Sequence, residues 1–331
     1  VLQLAFVFRS EEAVGSEFLV GREEDGGNIF VDVLESGLNI LFIEPEEAPV
    51  LLMPGEDLYI DVYANEASAV SLYHDGVLIK TVTGNTLKDT VVSIDTQVHW
   101  IKALAENSTE SIADSFYYVT RPEVVLEELP QGVRDGINYM DEETVILSLL
   151  APEKEYVYVI GDFNNWEVNS DYFMKMTPDG ERFWLEITNL IPGREYIFQY
   201  FIDATLRIAD PYAEKISDPL NDHYISEETY PGLIEYPEGM TNGIAAVLQT
   251  AQQEYIWEVD DFNAPNTGDL VIYECLVRDF TSAHTYAAII DTLDYLQTLG
   301  INALELMPVN EFEGNLSWGY NPSFYFAPDK Y

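Results

Sequence analysis

Short runs of alternating apolar and polar residues dominate the first 250 positions and predict a mainly β protein. The run LYIDVYA (58–64) alternates residue by residue, and SLYHDGVLIK (71–80) holds Asp75-Gly76 between two apolar segments, the signal of a two-residue β-hairpin. Four more short runs are separated by turn residues: 144–151, 155–163, 181–190 and 195–203. Evenly spaced short strands with Gly, Pro, Asn and Asp between them predict β-sandwich modules.

The pattern changes after residue 270. An apolar run without helical period, IYECLVRDF (272–280), predicts a buried strand, and Ile301–Met307 predicts a second strand. Between them five apolar residues fall at helical spacing on one face, with Gly300 at a C-cap position: Tyr286, Ile289, Ile290, Leu293 and Leu296. Strand, helix and strand with short connections predict a right-handed parallel βαβ unit.

Three segments of this region carry a family resemblance. YECLVRDF (273–280), LGINALELMPVNEF (299–312) and WGYNPSFYFAPD (318–329) resemble the start of the catalytic barrel of glycoside hydrolase family 13, the α-amylase, branching-enzyme and pullulanase group. The resemblance implies the first βαβ unit of a (β/α)₈ barrel of about 250 residues. It also implies a starch- or glycogen-type α-glucan as substrate, with retaining hydrolysis or transfer at α-1,4 or α-1,6 bonds between two carboxylates.

The resemblance places the family's nucleophilic Asp, acid/base Glu and third Asp on later barrel strands. We therefore expect these carboxylates beyond Tyr331, assign no catalytic residue, and expect residues 1–331 alone to be inactive. The chain begins at Val1 with neither Met nor a signal segment, so we expect an N-terminal portion of a longer enzyme, cut at both ends. The resemblance also implies that the full protein can bind calcium near its barrel, through residues that this chain does not contain, so no cofactor or metal is predicted for residues 1–331.

The resemblance also implies sugar-binding residues. The family places in the WGYNP loop a Tyr that stacks on the sugar ring at the cleavage subsite, here Tyr320. An aromatic plane covers the apolar C–H face of a sugar at little entropic cost, so Tyr320 and, less strongly, Trp318 are the predicted substrate-binding residues of the barrel mouth. Packing of both rings at the barrel mouth is the alternative. We favour a structural ion pair for Arg278 and Asp279, which end the predicted first strand.

A second resemblance covers the module before the barrel. GDFNNW (161–166), followed by FWLEITNL (183–190), YIFQYF (196–201) and ADPYA (209–213), resembles a family 48 carbohydrate-binding module, an immunoglobulin-like domain. Of the two tryptophans and one lysine that form the sugar platform in glycogen-binding relatives, Trp166 matches the first. The other two positions fall on Gln199 and near Leu206, so the module is predicted mainly to support the barrel, with Trp166 either packing or stacking on a sugar.

These signals divide the chain into five predicted parts. They are the last strands of a truncated β-module (1–44), an immunoglobulin-like β-sandwich (45–121), the carbohydrate-binding-like β-sandwich (122–230), a linker (231–268) and the start of the incomplete barrel (269–331). His74 and His99 lie in β-segments without metal-ligand spacing along the chain, and we assign them no role.

Composition restricts the partners. The 15 Lys and Arg against 59 Asp and Glu give a net charge of −44, which repels nucleic acid and anionic membranes and leaves a neutral polysaccharide unaffected. Adaptation to high salt and an ordinary acidic secreted protein are equally compatible with this charge. The single cysteine, Cys275, excludes an intrachain disulfide framework and is predicted to be a buried thiol.

No run of about 18 apolar residues predicts membrane insertion, and nothing in the sequence predicts an oligomeric state. The resemblance and the spacer-like module favour an extracellular or surface-exposed bacterial protein. The alternative function is a non-catalytic glucan-binding or cell-surface scaffold protein built from the β-modules, with the barrel piece inactive.

Overall fold

The structure is a computed structural model that describes the strands within residues 2–33 together with residues 37–45, 49–92, 95, 98–259 and 261–331. The chain divides into two compact units, Val1–Arg121 and Pro122–Tyr331. Strands dominate both units, and helices occur only in the second within the described residues. The prediction of a mainly β chain with several sheets is confirmed.

The described residues of the first unit form twelve strands: β1 (Leu2–Phe6), β2 (Phe8–Arg9), β3 (Val20–Gly21), β4 (Ile29–Val33), β5 (Asn39–Glu44), β6 (Val50–Leu52), β7 (Asp57–Asn65), β8 (Ala69–His74), β9 (Val77–Thr83), β10 (Thr86–Val92), β11 (Val98–Glu106) and β12 (Ser111–Thr120). One sheet has the order β10-β7-β5 and the other β6-β12-β11-β8-β9. Before residue 37, β1 pairs with β4 and β2 pairs with β3.

The two larger sheets share one apolar core, which includes alternate residues of β7 and β11. Ile60, Val62 and Ala64 are fully buried, as the alternation of 58–64 predicts for the inward face. Asp61, between two of them, accepts a hydrogen bond from Lys88 Nζ. Asp75 and Gly76 both have positive φ, +49° and +77°, as the predicted two-residue hairpin between β8 and β9 requires.

The predicted module of residues 1–44 is only partly described, because residues 1, 7, 10–19, 22–28 and 34–36 lie outside the described residues. Its last strand, β5, pairs with β7, so the sheet of the following module begins before residue 45. The reason is that Ile40 and Phe42 pack against the core of that module.

The second unit begins with a β-sandwich of nine strands: β13 (Gly136–Tyr139), β14 (Val145–Leu150), β15 (Val157–Gly161), β16 (Lys175–Met176), β17 (Arg182–Ile187), β18 (Glu195–Ile202), β19 (Leu206–Ile208), β20 (Ile216–Ser217) and β21 (Ala245–Gln249). One sheet has the order β13-β14-β17-β16, and the other β15-β18-β21-β20 with β19 beside β18. Their facing side chains form one buried core, centred on residues such as Leu147, Phe183 and Phe198.

The predicted linker of residues 231–268 contains a strand of this sandwich. β21 pairs antiparallel with β18 and with β20, and its Ala246 and Leu248 enter the core. The run IAAVLQ is a short apolar segment with no alternation, because residues on both of its faces are buried, and this hid it among the surrounding acidic and proline-rich residues.

Residues 269–331 contain β22 (Ile272–Cys275), α1 (Val277–Phe280), α2 (Tyr286–Ile290), α3 (Leu293–Thr298), β23 (Ala303–Leu306), β24 (Asn310–Phe312) and β25 (Pro322–Pro328). β22 and β23 pair in parallel with helices between them, and β24 and β25 form an antiparallel pair. The start of a parallel βαβ unit is therefore present, and the complete barrel remains a prediction.

Two details of this segment differ from the prediction. The first strand ends at Cys275, so Arg278 and Asp279 lie on α1, and Ile272 and Tyr273 on β22 are exposed although a buried strand was predicted. The single predicted helix is divided into α2 and α3, where the Thr292 hydroxyl donates to the carbonyl of Ile289 at 2.8 Å. Threonine hydroxyls that bond the backbone in this way compete with the regular helical ladder.

The predicted helix face is only partly buried. Ile289 and Leu296 are buried, whereas Tyr286, Ile290 and Leu293 remain exposed. No helix in the described part of the chain is long and apolar enough to cross a membrane.

Candidate functional site

The carboxyl ends of the parallel strands β22 and β23 bring two loops to the same edge of the pair. Arg278, which follows β22, donates from Nη1 to the carbonyl oxygens of Asn315 (3.0 Å) and Ser317 (2.9 Å) in the loop after β23. Its side chain is largely buried, and its Nε also contacts Asp279 Oδ1 at 3.0 Å. The predicted Arg278–Asp279 ion pair is present, and the main role of Arg278 is to hold the loop that carries Trp318 and Tyr320.

The turn that presents these two aromatic residues depends on Gly319. Gly319 has φ of +84°, and a Cβ at this position would lie 2.4 Å from the carbonyl oxygen of Pro308. Only glycine combines this conformation with so close an approach of two backbone segments. The Gly319 N–H donates to Ser317 Oγ at 3.1 Å, and that hydroxyl also bonds the Asn321 side chain. The conformation of the loop is therefore fixed on both sides of the glycine.

Tyr320 projects from this fixed loop with 64% of its surface exposed. Its hydroxyl donates to Glu274 Oε1 on β22 at 3.2 Å, which ties the end of the ring to the parallel pair and leaves much of the residue accessible. Desolvation, together with this hydrogen bond and the charges of Glu274 and Glu305, raises the pKa of Tyr320 above its ordinary value. The phenol therefore stays protonated and acts as a hydrogen-bond donor.

Trp318 is 65% exposed and belongs to neither of the two hydrophobic cores. Glu274 and Glu305 are partners in the register of β22 and β23, and both are exposed. Exposed aromatic surface beside carboxylate oxygens is suited to a sugar, because the C–H faces pack on rings and the hydroxyl groups donate to carboxylates. The arrangement can bind, but it offers no assigned nucleophile or acid.

A buried ion cluster fixes the segment to the sandwich. Lys330 Nζ lies 2.6 Å from Glu311 Oε1 on β24 and 3.1 Å from Asp222 Oδ1. Asp222 lies in the connection between β20 and β21 of the sandwich. All three side chains are at most 10% exposed. Burial raises the pKa of Glu311 to about 7, against the opposing effect of Lys330, whose own pKa the two carboxylates raise. Nearby, Ala327 enters the sandwich core and Phe324 packs against it.

Trp166, predicted to pack or to bind sugar in the carbohydrate-binding-like module, is 7% exposed. Its Nε1 donates to Asp162 Oδ1 at 3.0 Å, and the other oxygen of Asp162 accepts from the Ile197 N–H. Gln199, at the position of the family's lysine, is fully buried and donates to the carbonyls of Asn242 and Ile244. This geometry favours packing for Trp166 over stacking on a sugar.

A groove of about 800 Å³ opens elsewhere in the second unit, between the sandwich and β25. Tyr139, Tyr212 and Phe326 line it together with polar groups of Arg134 and Asn138. Tyr212 and Phe326 contact each other with ring centroids 5.3 Å apart. Sequence inspection did not single out this groove, because its aromatic residues are far apart in the chain and no motif links them.

Sequence reasoning also missed Glu274 and Lys330. Glu274 lies in a run that the pattern predicted to be buried. Its role becomes visible only through the hydrogen bond that it accepts from the Tyr320 hydroxyl. Lys330 is one lysine near the end of the chain, and its burial depends on a tertiary contact with Asp222, 108 positions away.

No family model matches the chain. Malto-oligosyltrehalose trehalohydrolase of Saccharolobus solfataricus is 26% identical over 189 residues, covering 57% of this chain and 28% of the relative. Isoamylase 1, chloroplastic, of Arabidopsis thaliana is 32% identical over 130 residues, covering 37% and 16%. The 1,4-alpha-glucan branching enzyme GlgB of Corynebacterium jeikeium is 27% identical over 194 residues, covering 56% and 24%.

Among solved structures, the pullulanase from Anoxybacillus sp. LM18-11 covers 85% of this chain and 42% of its own, at 17% identity and a TM-score of 0.45. The chain spans between 16% and 28% of the length of the three curated relatives. The three curated relatives confirm the resemblance seen in the sequence: over 37% to 57% of its length, the chain is similar to members of glycoside hydrolase family 13, the α-amylase family.

Proposed function

We propose that this chain belongs to an α-glucan-active glycoside hydrolase or glucanotransferase, for which residues 269–331 provide the start of the catalytic barrel and part of its sugar-binding surface. The observation that carries the proposal is Tyr320: an exposed ring on a glycine-fixed loop, at the carboxyl ends of two parallel strands. Functional groups of such barrels gather at this end of the strands. The trehalohydrolase, isoamylase and branching-enzyme relatives support the same substrate class.

In the proposed mechanism this chain binds and orients the glucan and does not itself break a bond. Tyr320 covers one face of a glucose ring, while its hydroxyl remains bonded to Glu274. Arg278 keeps the loop in place through the carbonyls of Asn315 and Ser317, so the ring needs little reorganisation on binding. The retaining step itself requires two carboxylates about 5–5.5 Å apart, which we place outside residues 1–331.

We assign the sandwich of the second unit a supporting role, as a family 48 carbohydrate-binding-like module without a strong glucan site of its own. The buried Trp166 and Gln199 support this assignment. The buried Lys330 cluster supports this role, because it anchors β24 and β25 to the sandwich. We further propose an extracellular or cell-surface location, for which the neutral substrate and the strongly acidic composition are suitable.

The proposal is tested by titrating maltoheptaose into the 331-residue chain in a calorimeter. Tyr320→Ala should weaken binding about five- to ten-fold, since one aromatic contact contributes about 1 kcal/mol. Tyr325→Ala is the matched control, because Tyr325 is an equally exposed tyrosine on β25 whose backbone carbonyl, not its ring, accepts from Asn310. Equal affinities for wild type and Tyr320→Ala would contradict the proposal and favour a glucan-binding scaffold that acts through the β-modules.

A further inference from the structure

The β8–β9 hairpin of the first unit brings together three side chains that are separated along the chain. His74 ends β8, Asp75 opens the two-residue turn, and His99 lies on β11 beside them. Asp75 Oδ2 lies 2.7 Å from His99 Nδ1 and 3.6 Å from His74 Nε2. The three potential ligand atoms lie within 4.8 Å of one another.

The surroundings orient each of these groups. The second oxygen of Asp75, Oδ1, accepts from the backbone N–H of Trp100 at 2.8 Å, which turns Oδ2 toward the two imidazoles. The second nitrogen of His99, Nε2, lies 2.8 Å from Asp95 Oδ1. A histidine that binds a metal through one nitrogen commonly donates its other N–H to a carboxylate, which fixes the tautomer and the ring orientation. His99 already has this outer partner.

We propose that His74 Nε2, Asp75 Oδ2 and His99 Nδ1 form a binding site for a divalent transition-metal ion of the zinc type. Two imidazole nitrogens and one carboxylate oxygen are ligands that zinc prefers, and three protein ligands leave a fourth position for water. Tetrahedral coordination at about 2.0–2.1 Å separates ligand atoms by about 3.3 Å. On binding, Asp75 Oδ2 and His99 Nδ1 would move apart by about half an ångström, His74 Nε2 and Asp75 Oδ2 would move slightly closer, and the two imidazole nitrogens, which lie within 4.8 Å of each other, would also move closer.

The site is accessible and has a graded burial. His99 is buried, His74 is partly buried and Asp75 is exposed at the hairpin turn, so an ion can enter from the turn side. The hydroxyl of Tyr118 lies 2.9 Å from His74 Nε2. A metal at this nitrogen would displace that hydrogen bond. Without a metal, the same groups form a cluster in which His99 bridges Asp75 and Asp95.

The test is calorimetric titration of zinc into the metal-free chain, in millimolar Mg²⁺ to saturate the diffuse acidic surface. We expect one zinc ion per chain, with binding at least ten-fold weaker in His74→Gln and in His99→Gln. His223→Gln is the matched control, since His223 is outside the cluster and contacts the ring of Tyr224. Circular dichroism in the presence of a chelator tests whether each variant is folded. If loss of the buried His99 disturbs folding, His74→Gln alone decides the test.

Cobalt provides a second readout. Co²⁺ bound at the proposed site should give the intense visible absorption of a tetrahedral complex in wild type and in His223→Gln, and lose it in His74→Gln. Zinc affinity that is unchanged in His74→Gln, or zinc that Mg²⁺ displaces completely, would overturn the proposal and leave a charge-paired histidine cluster.

Discussion

The sandwich and the barrel-like segment of the second unit bury their apolar residues to very different extents. Leu147, Phe183 and Phe198 of the sandwich are at or near zero exposure and share one core. The segment exposes most of its large apolar residues, among them Ile272, Tyr273, Ile290, Leu293, Leu299 and Leu306. The sandwich is thus stabilised by its own core, whereas the segment depends on its contacts with the sandwich. In the barrel that we propose, further strands would cover the exposed apolar side chains.

The largest expected contrast compares one leucine from each region. Leu147→Ala should lower the free energy of unfolding of the second unit by about 2–5 kcal/mol, because it opens a cavity in a closed core. Leu293→Ala should change it by no more than about 0.5 kcal/mol, because Leu293 is already exposed. Urea unfolding followed by circular dichroism measures both. Comparable losses for the two variants would show that the segment has a core of its own.

Removing the cation of the buried ion cluster should weaken the contact between the barrel-like segment and the sandwich. Lys330→Met leaves Asp222 and Glu311 without their shared cation and should lower the free energy of unfolding by about 3–5 kcal/mol. The loss should be near the lower value if Glu311 binds a proton in the variant. Hydrogen exchange should increase at β24 and β25 and stay unchanged in β14 and β18.

Lys154→Met is the control for this variant. Its ion pair with Asp203 is partly exposed with atoms 3.8 Å apart, and its loss should cost less than about 1 kcal/mol. Exchange that rises equally in the sandwich core of Lys330→Met would contradict a local anchoring role.

A buried carboxyl in the sandwich makes its stability depend on pH. Asp210 accepts from the Tyr200 hydroxyl and the Tyr212 N–H, each at 2.7 Å, and burial raises the pKa of Asp210 to about 6 from 3.8. Between these values the folded state binds more protons than the unfolded state, so stability falls as pH rises from about 4 to 6. Two pKa units correspond to about 2–3 kcal/mol.

Asp210→Asn removes this titration. The loss of unfolding free energy between pH 4 and pH 7.5 should be smaller by about 2–3 kcal/mol in the variant than in wild type, as measured by urea titration at both pH values. The remaining acidic groups titrate in both proteins and cancel in this difference. An identical pH dependence in the two proteins would show that Asp210 is not protonated preferentially in the folded state.

The sequence predicts the two regions with different success, for a physical reason. Sandwich strands such as β14 and β18 differ little from the predicted ranges 144–151 and 195–203, since the turn residues that bound them are local signals. β21 was missed because its short apolar run shows no alternation and lies among acidic and proline-bearing residues. The burial of β22 was predicted wrongly because apolar character does not reveal which neighbouring strands are present to cover it.

The candidate site was predictable only where a motif names it. Tyr320 and Trp318 are exposed on the predicted loop, but the roles of Glu274 and Arg278 in fixing that loop follow from pairings across the strands. The His74, Asp75 and His99 cluster was also invisible as a spacing. It arises because a two-residue hairpin turns Asp75 back toward β11, a geometry that the Asp75-Gly76 signal alone does not specify.

The most direct test of the proposed sugar-binding surface is a crystal structure of the chain soaked with maltoheptaose. We predict a glucose ring stacked on Tyr320, with the Tyr320 hydroxyl still bonded to Glu274 and the loop held by Arg278 in its present position. Sugar bound only in the groove between Tyr139 and Tyr212, or only over an opened Trp166, would contradict the account and move glucan recognition from the barrel-like segment to the sandwich.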